Sequence, residues 1–159
     1  MNRDDVYQKL NAHLSQHQLK TTKQRQDIVD AFLKLHGQHV TIDELLAECR
    51  KSNPAIGYAT VYRTLKLLVE AGIAEQRQFQ SGQSQFELES EHHHDHLVCT
   101  HCNRILEFEN DRIEALQRKV ADDFNFALTG HKMILYGVCK GLDQNGVCSF
   151  DKKIKIATP

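Results

Sequence analysis

The 159-residue sequence predicts an α+β chain built in two units. Apolar residues recur at helical spacing through the first seventy positions. Two alternating segments around Ser81-Gly82-Gln83 then read as a β-hairpin. Beyond residue 90, strand-like segments flank one helical stretch. The expected units are residues 1–89 and 90–159, joined by a short hinge near 88–92.

The elements follow in order. Val6, Leu10 and Leu14 give the segment from Asp4 to His17 a weak helical face. Thr21 with Gln24 has capping-box spacing and opens a helix whose Ile28, Val29, Phe32 and Leu33 face inward. Thr41 with Glu44 is a second box, with Leu45, Leu46 and Cys49 inward, and Asn53-Pro54 breaks this helix. IGYATVYRTLKLLVEAG turns Val61, Leu65, Leu68 and Val69 inward and ends on Gly72 as a C-terminal cap. AEQRQFQ and QSQFELES form the hairpin; short helices followed by a two-stranded wing describe a winged helix-turn-helix. In the second unit, LVCTHC and RILEFE read as strands. NDRIEALQRKVADDF reads as a helix burying Ile113, Leu116 and Val120, and FALTGHKMILYGVC as a strand.

The net charge of −1 conceals an asymmetry. Residues 1–72 carry ten Lys/Arg against eight Asp/Glu, whereas residues 81–131 carry four against ten. No apolar run reaches the 18 residues that a membrane helix needs, and the polar N-terminus lacks a signal-peptide core, so a cytoplasmic protein is expected. Five cysteines, an odd count, argue for metal or free thiols over disulfides there.

On the third strong helix, Tyr58, Tyr62, Arg63 and Lys66 face outward. A major groove admits one such helix; Arg suits guanine or phosphate, and a tyrosine ring packs on a thymine methyl. Lys20, Lys23 and Arg25 precede the second helix within reach of phosphate. The bland alternative is a solvated amphipathic helix with ordinary surface charges.

EHHHDHLVCTHC, residues 91–102, packs five histidines, two cysteines and two carboxylates into twelve positions. Cys99-x2-Cys102 suits one zinc ion, and Cys139 and Cys148 offer two more thiolates; a redox pair is the other reading of CxxC. In extended chain, His92, His94 and His96 face one way and His93 and Asp95 the other, so two sites fit better than one. Nitrogen and oxygen donors of this kind suit Fe(II), Mn(II), Zn(II), Co(II) or Ni(II). A solvated histidine run between units is the alternative. A zinc-dependent hydrolase or deaminase is disfavoured, since HExxH and HxE…PCxxC are both absent.

GYATVYRTL (57–65), EAGIAEQRQF (70–79), FEL (86–88), HHHDHLVCTHC (92–102), ILEFE (105–109) and LTGHKMILYGVC (128–139), in this order, resemble the ferric uptake regulator family. The resemblance implies a winged-helix DNA-binding domain and a C-terminal α/β dimerisation domain. It implies a metal-dependent repressor of metal-homeostasis genes. The partners it implies are an AT-rich palindromic operator and a second copy of the chain, as homodimer or tetramer. It implies a regulatory ion, Fe(II) with Mn(II) or Zn(II) able to substitute, on His39, Glu87, His94, His96 and Glu107. It implies a second site on His93, Asp95, Glu114 and His131, and structural Zn(II) on Cys99, Cys102, Cys139 and Cys148. The outward helix face and the basic segment before the second helix make Lys20, Tyr58, Tyr62 and Arg63 the expected DNA contacts. Glutamates at 87 and 107 resemble the iron sensors; manganese-, zinc- and peroxide-responsive branches are the alternatives. The nine-residue step from Cys139 to Cys148 exceeds the family's usual spacing. His13, His17, His36 and His101 match no ligand position.

Overall fold

A computed structural model describes residues 1–78, 84–89 and 93–141. The hairpin turn at Ser81-Gly82-Gln83, His92 and Cys148 lie outside the described residues. The chain forms two compact units, Met1–Glu91 and His92–Pro159.

The first unit is helical and closes on a hairpin. Its elements are α1 (Arg3–Gln16), α2 (Lys23–Lys34), α3 (Ile42–Arg50), α4 (Tyr58–Glu70), β1 (Ala74–Gln78) and β2 (Ser84–Leu88). Val6, Leu10 and Leu14 of α1 join Ile28, Phe32, Leu45, Val61, Leu65, Leu68 and Phe86 in one apolar core. Val69 is only partly buried, and Thr64 takes the inward position, its hydroxyl donating to the Thr60 carbonyl at 2.8 Å.

Caps set the helix starts. Asn2 and Asp5 form a capping box on α1 that the apolar pattern does not reveal. α2 starts on Thr22 rather than Thr21: the Thr22 hydroxyl accepts from the Arg25 amide, so Gln24 completes no box. On α3 the Thr41 and Glu44 side chains cap each other's amides, at 2.8 and 3.2 Å. Thr41→Ala is expected to destabilise the first unit by about 1 kcal/mol, read as a lower denaturation midpoint by helical circular dichroism. α4 ends where Gly72 adopts φ +62, letting the Ile73 amide reach the Leu68 carbonyl at 2.9 Å. A side chain there would be strained, which is why glycine stops this helix.

β1 and β2 pair antiparallel, with Glu75 opposite Glu87 and Gln76 opposite Phe86. Val40 bridges Phe86 on the free side of β2, exchanging amide–carbonyl bonds of 2.8 and 2.9 Å. Antiparallel pairing at that bridge brings His39 opposite Glu87.

The second unit contains β3 (Asp95–Cys99), β4 (Ile105–Phe108), α5 (Asp111–Asp123) and β5 (Ile134–Gly137). β3 is central, antiparallel to β4 and parallel to β5. The segment expected as one long strand from Phe126 to Cys139 is strand only over Ile134–Gly137, because only that stretch finds ladder partners on β3. Asn110 caps α5 through the amides of Arg112 and Ile113. The apolar stripe of α5 is not buried as its spacing suggests. Leu116 is 62% and Val120 50% exposed, since nothing in the described unit covers that face.

Candidate metal centres and nucleic-acid face

Three sulfurs gather around the turn after β3. Cys102 Sγ lies 3.8 Å from Cys139 Sγ, and Cys99, Cys102 and Cys139 all approach within 4.8 Å of one another. A disulfide needs about 2.05 Å, and none joins these cysteines. Two thiolates at about 2.3 Å from a tetrahedral ion would stand about 3.8 Å apart. Asn103 turns the chain at φ +56, a conformation asparagine tolerates, directly after the knuckle. Burial pushes the Cys99 thiol up. Amides of Cys102, Cys139 and His101 aimed at its sulfur outweigh that and bring it down to about 6, so the thiolate is available at neutral pH. The arrangement suits zinc better than a redox pair, because a third sulfur shares the cluster.

A second cluster lies on one face of β3. His93 Nε2 is 3.4 Å from Asp95 Oδ1 and 3.6 Å from Glu114 Oε1. His131 Nε2 is 3.4 and 3.3 Å from the same two oxygens. These contacts exceed hydrogen-bond length. They match the ~3.4 Å edges of a tetrahedron of donors held at about 2.1 Å. Asp95 is 1% exposed, and both its oxygens, with Glu114 Oε1 and His131 Nε2, lack a hydrogen-bond partner among the described residues. Buried acceptors in that state fit a cation.

The five regulatory candidates fall into two sets, one in each unit. In the first unit, His39 Nε2 stands 3.0 Å from Glu87 Oε2, both side chains less than a tenth exposed. In the second, His94 and His96 bring their ring centroids to 4.9 Å. Glu107 of β4 is the direct register partner of His96, so both point to one face of the sheet. The alternation read from the sequence is thus present: His94 and His96 share a side, His93 and Asp95 the other.

The nucleic-acid candidates sit on the first unit. Tyr58 and Tyr62 are 49% and 41% exposed on α4, with Arg63 exposed beside them. Lys66 is not outward: it is half-buried and donates to Gln76 Oε1 at 2.9 Å. Lys20 is exposed, while Arg25 turns back to donate to the Lys20 carbonyl and Lys23 pairs with Asp27 at 3.0 Å. Sequence reasoning passed over Arg77, whose guanidinium engages Glu87. Cross-strand register, invisible without the hairpin's pairing, is what exposes it.

A helical unit with a wing, joined to a unit rich in thiolate, imidazole and carboxylate donors, defines the class of metal-responsive DNA-binding regulators. The model of the ferric uptake regulator family matches residues 16–136. The ferric uptake regulation protein of Vibrio anguillarum is 41% identical over 121 residues, covering 76% of this chain and 81% of that protein. The chain belongs to the ferric uptake regulator family. Among solved structures, the ferric uptake regulator of Vibrio cholerae aligns with TM-score 0.71 at 40% identity, covering 81% of this chain and 98% of that one. That of Helicobacter pylori, reported to have three functional metal-binding sites, aligns with TM-score 0.82 at 26% identity over 88% and 93% of the two chains. Among the described residues, no helix is long and apolar enough to cross a membrane.

Proposed function

We propose that this chain is an Fe(II)-responsive repressor that binds an AT-rich palindromic operator as a homodimer, a regulator rather than an enzyme, working in the cytoplasm. One observation carries the reading. Each unit arranges its own part of one nitrogen and oxygen donor set: His39 with Glu87 at 3.0 Å in the first, and His94, His96 and the register partner Glu107 in the second. A first-row dication, when bound, supplies a point charge that holds imidazole and carboxylate donors together. His39 and Glu87 share such an ion with His94, His96 and Glu107 only in one arrangement of the two units. That arrangement is the one in which Tyr58, Tyr62, Arg63 and Lys20 of both copies meet duplex at operator spacing.

Cys99, Cys102 and Cys139 hold a structural zinc, with Cys148 the candidate fourth donor. His93, Asp95, Glu114 and His131 hold a second ion. The exposed stripe of α5, with Leu97 and Leu135 of the sheet, supports dimerisation through the second unit. The glutamates at 87 and 107 favour iron, as does the similarity to ferric uptake regulators. Manganese is the nearest competitor, because carboxylate and imidazole donors serve it too.

Operator affinity measured against Fe(II), Mn(II) and Zn(II), with a chelated control, tests this. Binding is expected to need added metal and to fall steeply with salt. Full-strength, metal-free binding would refute it.

A further inference from the structure

Glu87 sits between two neighbours that divide its oxygens. Arg77 Nε donates to Oε1 at 2.5 Å, and His39 Nε2 stands 3.0 Å from Oε2. The register explains the arrangement. Glu75 is directly opposite Glu87 across the hairpin, and Arg77, two residues on, lies diagonal to it on the same face. Its Nη2 reaches Glu75 Oε2 at 2.6 Å, so one guanidinium spans two carboxylates. The Arg77 side chain is only 12% exposed, and a charge-assisted bond in such surroundings is costly to break.

We propose that Arg77 holds Glu87 as a one-oxygen donor and thereby sets which dications the regulatory centre selects. This rests on reading Glu87 as a ligand of that centre. A carboxylate grips a cation with one oxygen or with both. Two-oxygen grip raises the coordination number and suits larger ions that accept six or more oxygen-rich contacts, Mn(II) among them. With Oε1 committed to Arg77, only Oε2 is offered. The centre is then biased towards ions content with fewer donors. Oε2 is also the oxygen beside His39, so the guanidinium orients the pair as well as limiting it.

Two plainer roles give different results. If Arg77 only neutralised Glu75 and Glu87, its removal would tighten every dication alike. If it only held the hairpin together, its removal would weaken every dication alike. A positioning role changes the ratio between ions.

The test uses the full-length, zinc-loaded protein carrying His131→Ala, which removes a donor of the second cluster, titrated with Mn(II) and with Co(II) at the remaining exchangeable site. Arg77→Gln is expected to shift the Mn(II)-to-Co(II) ratio of dissociation constants by roughly tenfold in favour of Mn(II), the lower end of what outer-shell partners of metal ligands contribute. The visible absorption of bound Co(II) should weaken, as it does when coordination number rises. Arg77→Lys, which keeps a cationic donor, should stay near the wild-type ratio. The double variant Glu75→Gln/Arg77→Gln removes the facing charges together, so it keeps the hairpin free of new repulsion and should show the same shift as Arg77→Gln. An unchanged ratio in both neutralised variants overturns the proposal, whether or not absolute affinities move. His39→Ala separates the two levels of inference. If it abolishes exchangeable binding while the neutralised variants leave the ratio alone, the centre stands and Arg77's role falls. If it leaves exchangeable binding intact, both fall.

Discussion

Cys99→Ser is expected to cost the protein its zinc, its dimer and most of the order of the second unit, while leaving the first unit folded. The two units are built on different foundations. Twenty buried apolar residues form the core of the first, from Val6 to Leu88. In the second, Val98 and Cys99 are the buried apolar residues among those described, and α5 buries none. Ordering a chain costs about 1.5 kcal/mol per residue, and two buried apolar side chains do not offset that over some fifty residues. The zinc ion and the partner chain proposed for this unit would supply the balance. Structural zinc contributes apparent free energies of about 10–16 kcal/mol in small domains. Cys99 is the centre of the knuckle, receiving three amides as well as facing two sulfurs, so serine in its place removes a donor and the organiser of the turn. Elemental analysis should show zinc lost, and sedimentation should show monomer. The thermal melt should keep the first unit's transition and lose the second's. A zinc-free protein that remained a dimer would show that apolar burial alone holds the second unit together.

What could be read without coordinates follows from which interactions are local. Helix α3 announces itself because its cap, its apolar stripe and the break after it all lie within a few residues: Thr41, then Leu45 and Cys49, then Asn53-Pro54. The two faces of the histidine run were legible for the same reason: extended backbone alternates, whatever it packs against. The start of α2 moved by one residue because both Thr21 and Thr22 can cap, and the choice depends on which hydroxyl meets the Arg25 amide. The stripe of α5 was correctly placed on one face, yet wrongly expected to be covered. Amphipathic spacing reports that a face is apolar and says nothing about which chain buries it. Arg77 was missed because its meaning depends on register: only with Glu75 opposite Glu87 does the arginine become a partner of a candidate ligand. The long reach from Cys102 to Cys139 was legible only as chemistry, since parallel pairing of β3 with β5 is what brings the sulfurs to 3.8 Å.

Substitutions in different units should separate the metal response from DNA contact. His39→Ala and His96→Ala lie in different units, yet each is expected to lower operator affinity in saturating Fe(II) by roughly 100-fold, to the metal-free level. A differential of about 3 kcal/mol in a two-state balance gives a change of that size. Arg63→Ala acts at another step. It removes an exposed cation from α4, and loss of one base or phosphate contact costs about 1–3 kcal/mol. Its metal content should match the unaltered protein, and its response to Fe(II) should persist at reduced affinity. The salt slope should fall by about one for a phosphate contact and stay unchanged in the two histidine variants. His96 is fully buried beside its partner strand, so His96→Ala alone does not distinguish a lost ligand from misfolding. His39 belongs to the first unit's hairpin face and touches Glu87 there, so matching losses from the two variants cannot share a local folding defect. If His39→Ala leaves the Fe(II) response intact while His96→Ala abolishes it, the regulatory ion belongs to the second unit alone, and the coupling between units must run through something other than a shared ion.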